Sequence, residues 1–392
     1  MKNNLNSIFS FSIKKASLLT IVAVSTLVVA CKKDAKETSV ETLSANAGSK
    51  NAIAVAAAES GSGWSELTST VEANQRVHLE NFEGNGLKTR SWNAGAAWYL
   101  NAAESTSGSS YGSNNVASYT YSASNNKRHT FTLHKAPGNR SEIRIQDNYD
   151  VGDIRQFEGD ITINSSVFAS NAVFQIWGGI VINGSQRATL LQIRGDGSVN
   201  GGQLRVVPNG VTNEVGNRTI ATGLLAKSTP TKINVVHFQE IASRPGRIVI
   251  YVDGNQVYSC EENQKPTNGD GTNYMKYGNY GREDEDANET NSVVTWSNVR
   301  YWEIPKVTVR QGCNYTGWSA SLSVGDYTLS QLQALGFVND DASSLRVPAG
   351  LRVRVYANNN FDTLIGTYTS DQSCFSSTVN DRISSIRVEQ IP

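Results

Sequence analysis

The chain lacks an excess of charge of either sign. Lys and Arg together number 35, as do Asp and Glu. No overall field therefore steers it toward nucleic acid, and a polyanionic partner has to be held by a local cluster of bases. Histidine and cysteine are scarce at four residues each, and their placement offers no zinc-ligand spacing. A Gly-rich phosphate loop and a nucleophile elbow are both missing. A retaining glycosidase needs two closely placed carboxylates, and no Glu-x-Asp-x-x-Glu strand supplies them. Long amphipathic helical patterns are absent too. The apolar run from Ala16 to Ala30 is too short for a comfortable membrane span. What remains is globular: 392 residues, 39% hydrophobic and 18% charged, enough for two or three domains.

The N-terminus reads as an export signal. Lys14 and Lys15 precede the short apolar stretch, which ends in Val28-Val29-Ala30-Cys31 and is followed by Lys32-Lys33-Asp34. Small residues before a cysteine resemble the bacterial lipobox, which implies that 1–30 is a lipoprotein signal peptide and that Cys31 is diacylated. Acyl chains would hold the protein to a membrane without a spanning helix. The expected location is therefore exported and lipid-anchored, at the outer membrane, the cell surface or the periplasmic face. In an oxidising compartment Cys313 and Cys374, both near the C-terminus, are the expected disulfide and Cys260 a buried thiol. The sequence alone leaves that connectivity open.

Residues 31–75, rich in Ala, Ser, Thr, Gly and Glu, read as a flexible tether. From 76 to 305 the pattern becomes short alternating runs separated by Gly and Asn. Examples lie at 129–133, 141–145, 173–177, 189–194, 203–207, 232–238 and 247–252. Asp253-Gly254 before 256–258 signals a type I′ hairpin. Many short strands without a competing helix predict an all-β sandwich or jelly roll.

Period-2 geometry sorts the side chains of three segments. In Arg140-Ser141-Glu142-Ile143-Arg144 the arginines and the glutamate share a face. In Val173-Phe174-Gln175-Ile176-Trp177, Gln175 and Trp177 share one while Phe174 and Ile176 turn to the core. In Tyr274-Met275-Lys276-Tyr277-Gly278-Asn279-Tyr280, Tyr274, Lys276 and Tyr280 lie together. Gln192 with Arg194, and Gln203 with Arg205, repeat the arrangement. An Arg-x-Glu-x-Arg strand can be a simple charge ladder, but three such segments predict a groove for an acidic sugar chain.

These segments resemble, in order and rough spacing, the R-S/T-E-L-R, Q-I-H and Y-F-K-x-G-x-Y strands of the alginate lyases of polysaccharide lyase family 7. The resemblance covers most of 76–305 and implies a concanavalin-like β-jelly-roll. It also implies β-elimination on a uronate polymer without a catalytic cofactor. Arg140 and Gln175 would hold the substrate carboxylate, and Glu142 would orient the arginines. Arg144 and Lys276, with Trp177, Tyr274 and Arg194, would line the subsites. Tyr280 would protonate the leaving oxygen and could also act as base. Where the family has histidine this chain has Trp177, so glucuronan- or ulvan-like chains stand beside alginate as expected substrates. The chain's histidines are His78, His129, His134 and His237. Of these His134, on the strand expected before the first motif, is the best-placed substitute, and His78, at the leading edge, the worst.

Residues 307–392 hold a repeat: Asn339-Asp340-Asp341-Ala342-Ser343-Ser344 is echoed by Asn380-Asp381-Arg382-Ile383-Ser384-Ser385. Both resemble the N/D-N/D-x-x-S/T-S calcium turns of βγ-crystallins, which implies a small double Greek-key sandwich. Tyr356 and Phe361 resemble that fold's aromatic corner, although Thr363 and Arg310 depart from its pattern. By resemblance Ser343 and Ser384 would give hydroxyls, Asp341 and Arg382 backbone carbonyls, and Asn339 and Asn380 would complete two sites for structural Ca2+. The acidic run Glu283-Asp284-Glu285-Asp286, with Asn288, is a weaker calcium candidate. The expectation is a monomeric lipoprotein polysaccharide lyase. The alternative is a non-catalytic glycan-binding lipoprotein of the same fold, which Trp177 favours.

Overall fold

A computed structural model describes residues 63–68, 76–80, 89–91, 117–122, 124–134, 140–145, 147–169, 171–182, 185–208, 216–241, 243–262, 273–281 and 291–391. Residues 76–80, 89–91, 178–182 and 185–188 are described by their backbone alone. Every described residue belongs to one compact unit, 55–392. The expected signal segment 1–30, Cys31, most of the expected tether and the acidic run at 283–286 lie outside the described residues. Among the described residues no helix is long and apolar enough to cross a membrane.

The fold is all-β, and its larger part is two eight-stranded antiparallel sheets. The back sheet runs Asn255–Glu261, Arg247–Val252, Thr231–Phe238, Ile154–Ile163, Ser292–Glu303, Arg128–Leu133, Ala117–Ser122. The short strand Ser65–Glu66 joins its Ser292–Glu303 member. The front sheet runs Arg218–Thr222, Gln203–Pro208, Ser185–Asp196, Ala172–Ile182, Tyr274–Tyr280, Arg140–Arg144, Arg76–Glu80, Thr89–Ser91.

Alternation builds the interior. In Arg128–Leu133 every second side chain is buried, placing Phe131 and Leu133 inward. Phe131, Phe157 and Trp296 of the back sheet meet Phe174 and Tyr277 of the front sheet. Phe157 lies 4.9 Å from Phe174 and Phe131 lies 5.7 Å from Tyr277, ring centre to ring centre. Removing this apolar area from water is the main force holding the sheets face to face. At the expected hairpin, Asp253 and Gly254 both take positive φ, 48° and 81°, as a type I′ turn requires.

Two differences from the sequence reading have physical causes. Residues 63–68, assigned to the tether on composition, are held in place. Trp64 is buried, Ser65 and Glu66 pair with Glu303 and Trp302, and Glu66 meets Arg300 at 2.7 Å. The central strand Ile154–Ile163 escaped notice because Arg155, Gln156 and Glu158 read as polar. All three are buried, and Arg155 is compensated by Asp147 at 2.6 Å and Glu303 at 3.3 Å.

From Val307 the chain forms two small sheets that exchange strands between the repeat halves. Val307–Gly312, Thr316–Leu322 and Ser344–Arg346 make one sheet. Gly325–Tyr327 joins Leu351–Tyr356, Leu364–Tyr368 and Ser385–Gln390 in the other. The six-residue helix Leu329–Ala334, capped by Thr328 and Gln331, makes the crossover. This part is tied to the sandwich by Lys306 to Asp153 at 2.8 Å and by the Ser323 hydroxyl to the Gly152 carbonyl.

Cys313 and Cys374 are bonded across a separation of 61 residues, and Cys260, outside that bond, is buried. Closing a loop of that length removes unfolded-state entropy worth about 4 kcal/mol. Replacing both cysteines by serine is therefore expected to lower the unfolding transition of the C-terminal sheets by several degrees in calorimetry. An unchanged transition would contradict the assignment.

Candidate functional site

Register gathers the three motif strands at the middle of the front sheet. Lys276 is flanked by Gln175 and by Arg144, Tyr274 by Trp177, and Tyr280 by Ala172 and Arg140. The next strands add Gln192 beside Gln175 and Arg194 beside Arg205. The alternate residues Ile143, Phe174, Ile176, Met275 and Tyr277 are in the core. Arg140, Glu142, Arg144, Gln175, Trp177, Arg194, Tyr274, Lys276 and Tyr280 thus share the face opposite that core, as the alternation predicts.

Glu142 is the electrostatic centre of this face. It is 1% exposed, and its Oε2 lies 3.7 Å from both Arg140 Nη1 and Lys276 Nζ. Its Oε1 accepts from Gln175 Nε2. Gln175 Oε1 accepts from Gln192 Nε2 at 3.0 Å, and Gln192 Oε1 from Arg194 Nε at 2.9 Å. A buried carboxylate without such partners would be strongly destabilising. Arg140 and Lys276 are the cations that meet it, and Arg144 lies beside Lys276 on the same face.

Aromatic rings frame the charges. The Arg140 guanidinium lies 4.4 Å from the Tyr280 ring centre and that of Arg144 3.8 Å from Tyr274. Trp177 stacks on Tyr274, 5.6 Å between centres at 30°, with Lys276 Nζ 5.3 Å from the indole. Arg144 also donates to Asn148 Oδ1 at 2.9 Å. The position where the resembled motif has histidine is therefore part of an aromatic and cationic platform, the kind of surface on which a sugar ring packs.

The strand carrying Tyr280 is bent on purpose. Gly278, opposite Glu142, has φ +150°, and a Cβ there would fall 2.4 Å from the Ser141 carbonyl oxygen. Pairing with Ala172–Ile182 slips between Tyr277 and Tyr280, a bulge that re-aims the end of the strand. Asn279, on the other side, is pinned: Asn171 Nδ2 donates to its Oδ1 at 2.8 Å, and its own Nδ2 reaches the Ser292 carbonyl at 3.0 Å. The sequence places Gln192 on the polar face beside Arg194 but does not show its bond to Gln175, and it gives no part to Asn171 or Asn279. Asn279 inside the Tyr-x-Lys-x-Gly-x-Tyr motif was the available signal.

The histidines require corrections. His134 follows a strand of the back sheet, not of the front, and contacts Ser118 at 2.9 Å and Asn291 at 3.2 Å. His237 is also in the back sheet, buried between Tyr149 at 2.8 Å and Glu262 at 2.6 Å. His129 is in the interior against Tyr119 and Tyr277. His78, judged the worst placed, is in the front sheet, with its backbone paired to Glu142.

In the C-terminal turns the side chains of the two repeats cross. Ser384 of the second turn donates to Asn339 Oδ1 of the first at 2.9 Å, and Ser343 of the first faces Asp381 Oδ1 of the second at 3.5 Å. Asp340 and Asp381, not singled out as ligands, take positive φ, 52° and 54°, and receive the side-chain amides of Asn339 at 2.7 Å and Asn380 at 2.6 Å. The Asp341 carboxylate meets Gln311 and Trp318, each at 3.0 Å, and the Arg382 side chain donates to the Thr378 carbonyl, so neither side chain is required for the backbone carbonyls expected as ligands. Each crossed set consists of amide, carboxylate and hydroxyl oxygens, donors that fit a hard cation such as Ca2+. Strand exchange brings the two turns together, which a linear repeat does not reveal.

No known protein-family profile matches the chain. Among characterised proteins it is similar to development-specific protein S of Myxococcus xanthus, 33% identical over 88 residues. Those are 22% of this chain and 49% of that protein, so the chain spans about half the length of the relative it matches. Among solved structures it is similar to a βγ-crystallin domain from Flavobacterium johnsoniae, 46% identical over 21% of this chain and 93% of that one, TM-score 0.21. It is also similar to a βγ-crystallin domain from Clostridium beijerinckii, 43% identical over 21% of this chain and 97% of that one, TM-score 0.21. The N-terminal domain of protein S is 32% identical over 22% and 98%, TM-score 0.22.

Burial, with a lesser push from the Lys127 cation, lowers the pKa of His129 to about 3, so it stays neutral and is no base for this face. The unfolded chain takes up that proton below about pH 6.5 while the folded chain does not until about pH 3, so stability falls as pH drops through that window. Between pH 6 and 4 the wild-type protein is expected to lose up to about 1.4 kcal/mol per pH unit more than His129→Gln in urea denaturation. Parallel slopes would contradict it.

Proposed function

We propose that the protein is an exported lipoprotein, anchored through Cys31, whose front sheet binds and cleaves a uronate-containing polysaccharide by β-elimination. On this reading the larger part is a jelly-roll lyase domain and 307–392 a βγ-crystallin-like module. The observation that carries it is the buried carboxylate of Glu142, on which Arg140, Lys276 and Gln175 converge beside Tyr280. The three motif strands, adjacent in one sheet and in phase, support it.

Elimination needs a proton taken from C5 of the uronate and a proton given to the C4 oxygen. The C5 proton is weakly acidic until charge spreading onto the adjacent carboxylate is stabilised. Arg140 and the amide of Gln175 are the donors for that carboxylate, preorganised by Glu142 before substrate arrives. Tyr280, as phenolate, takes the C5 proton. The bonding pair becomes the C4–C5 double bond as the C4–oxygen bond breaks, and the Tyr280 hydroxyl returns its proton to the leaving oxygen. Arg144, Trp177, Tyr274 and Arg194 hold the flanking sugars, and no metal or organic cofactor is required. Since no histidine replaces Trp177 on its strand, glucuronan- or ulvan-like polymers are favoured alongside alginate.

Ultraviolet absorbance over time tests this directly, with the detergent-solubilised protein and a panel of uronate polymers. The expected result is a rise on at least one polymer, reduced at least about 100-fold by Tyr280→Phe. A flat trace on every polymer overturns the lyase. Retained binding in that case establishes the second reading, a glycan-binding lipoprotein, which the Trp177–Tyr274–Lys276 platform favours.

The crossed turns at 339–343 and 380–384 support two Ca2+ sites in a stabilising or adhesive role. Calorimetric titration is expected to show two Ca2+ per chain for the wild type and one for Ser384→Ala, which loses the hydroxyl facing Asn339. Two remaining after the substitution, or none in the wild type, would contradict it.

A further inference from the structure

The amide of Gln175 is fixed from both sides. Its Nε2 donates to Glu142 Oε1 and its Oε1 accepts from Gln192 Nε2. Turned over, it would set oxygen against a carboxylate oxygen and NH2 against NH2, both repulsive. Gln192 is fixed in the same sense, because Arg194 Nε occupies its oxygen. A single line of donors thus runs from the Arg194 cation to the Glu142 anion, its last link passing over the intervening strand Tyr274–Tyr280, with Gln192 8% and Gln175 2% exposed. One N–H of Gln175 is left outside the line.

We propose that Gln192, held by Arg194, is a positioning residue: it orients Gln175 so that the remaining N–H meets the substrate carboxylate. This rests on the uronate reading above. Gln192 itself touches no reacting atom. Its chemical requirement is narrow, since position 192 has to donate to Gln175 and accept from Arg194 at once. Methionine fills the space and does neither. An ionised glutamate accepts only, and so drives the Gln175 amide to turn over against Glu142. A protonated glutamate donates through its hydroxyl and accepts through its carbonyl, as the amide does. Acid should therefore repair Gln192→Glu and leave Gln192→Met as it was.

The test measures polymer binding and absorbance for the wild type, Gln192→Glu and Gln192→Met from pH 5 to pH 9. At pH 8 both variants are expected to lose roughly 10- to 100-fold in kcat/KM, or in affinity if no cleavage occurs, the scale of one buried hydrogen bond. The ratio of Gln192→Glu to wild type is expected to recover as pH falls toward 5, while the Gln192→Met ratio stays flat. Ratios that are equal for the two variants at every pH, or unchanged from wild type, overturn the positioning role and leave the uronate reading standing. A wild type that neither binds nor cleaves any polymer overturns both.

Discussion

The front sheet depends on one buried carboxylate. Glu142 has almost no contact with water, so its charge has to be balanced within the protein, and Arg140, Lys276 and Gln175 converge on it for that reason. That convergence fixes side chains that would otherwise sweep a wide volume. Arg140 is held above Tyr280 and Lys276 beside Trp177. One buried carboxylate thus sets the positions of the charged and aromatic side chains around it.

The rest of the large domain serves that geometry. The aromatic layer of Phe131, Phe157, Phe174, Tyr277 and Trp296 makes the front sheet one rigid surface. Gly278 and the Asn171–Asn279–Ser292 network place a bulge next to Tyr280. The C-terminal sheets follow another logic, in which exchanged strands and a disulfide bring two turns of oxygen donors face to face.

Much of this was legible in the sequence where period 2 governs. The phase of Arg140–Arg144, 173–177 and Tyr274–Tyr280 sorted core from face, and Asp253-Gly254 marked its hairpin. Long-range pairing was not legible. Nothing local says that His78 pairs with Glu142 while His134 follows a strand of the other sheet, or that Ser384 serves the turn containing Asn339. Buried ions misled as well. Arg155 hides a central strand because its polar side chain is buried against Asp147, across a turn, and Glu303, far off in sequence. Trp64, alone in an Ala- and Ser-rich stretch, gave too weak a signal for the order of 63–68.

The central claim is that the face recognises carboxylates rather than sugar rings in general. Titration calorimetry with a polyuronate, and with the same polymer after its carboxylates are reduced to alcohols, separates the two. The account predicts binding of the acid polymer, weakened by salt, and loss of binding to the reduced one. Equal affinity for both polymers would contradict it.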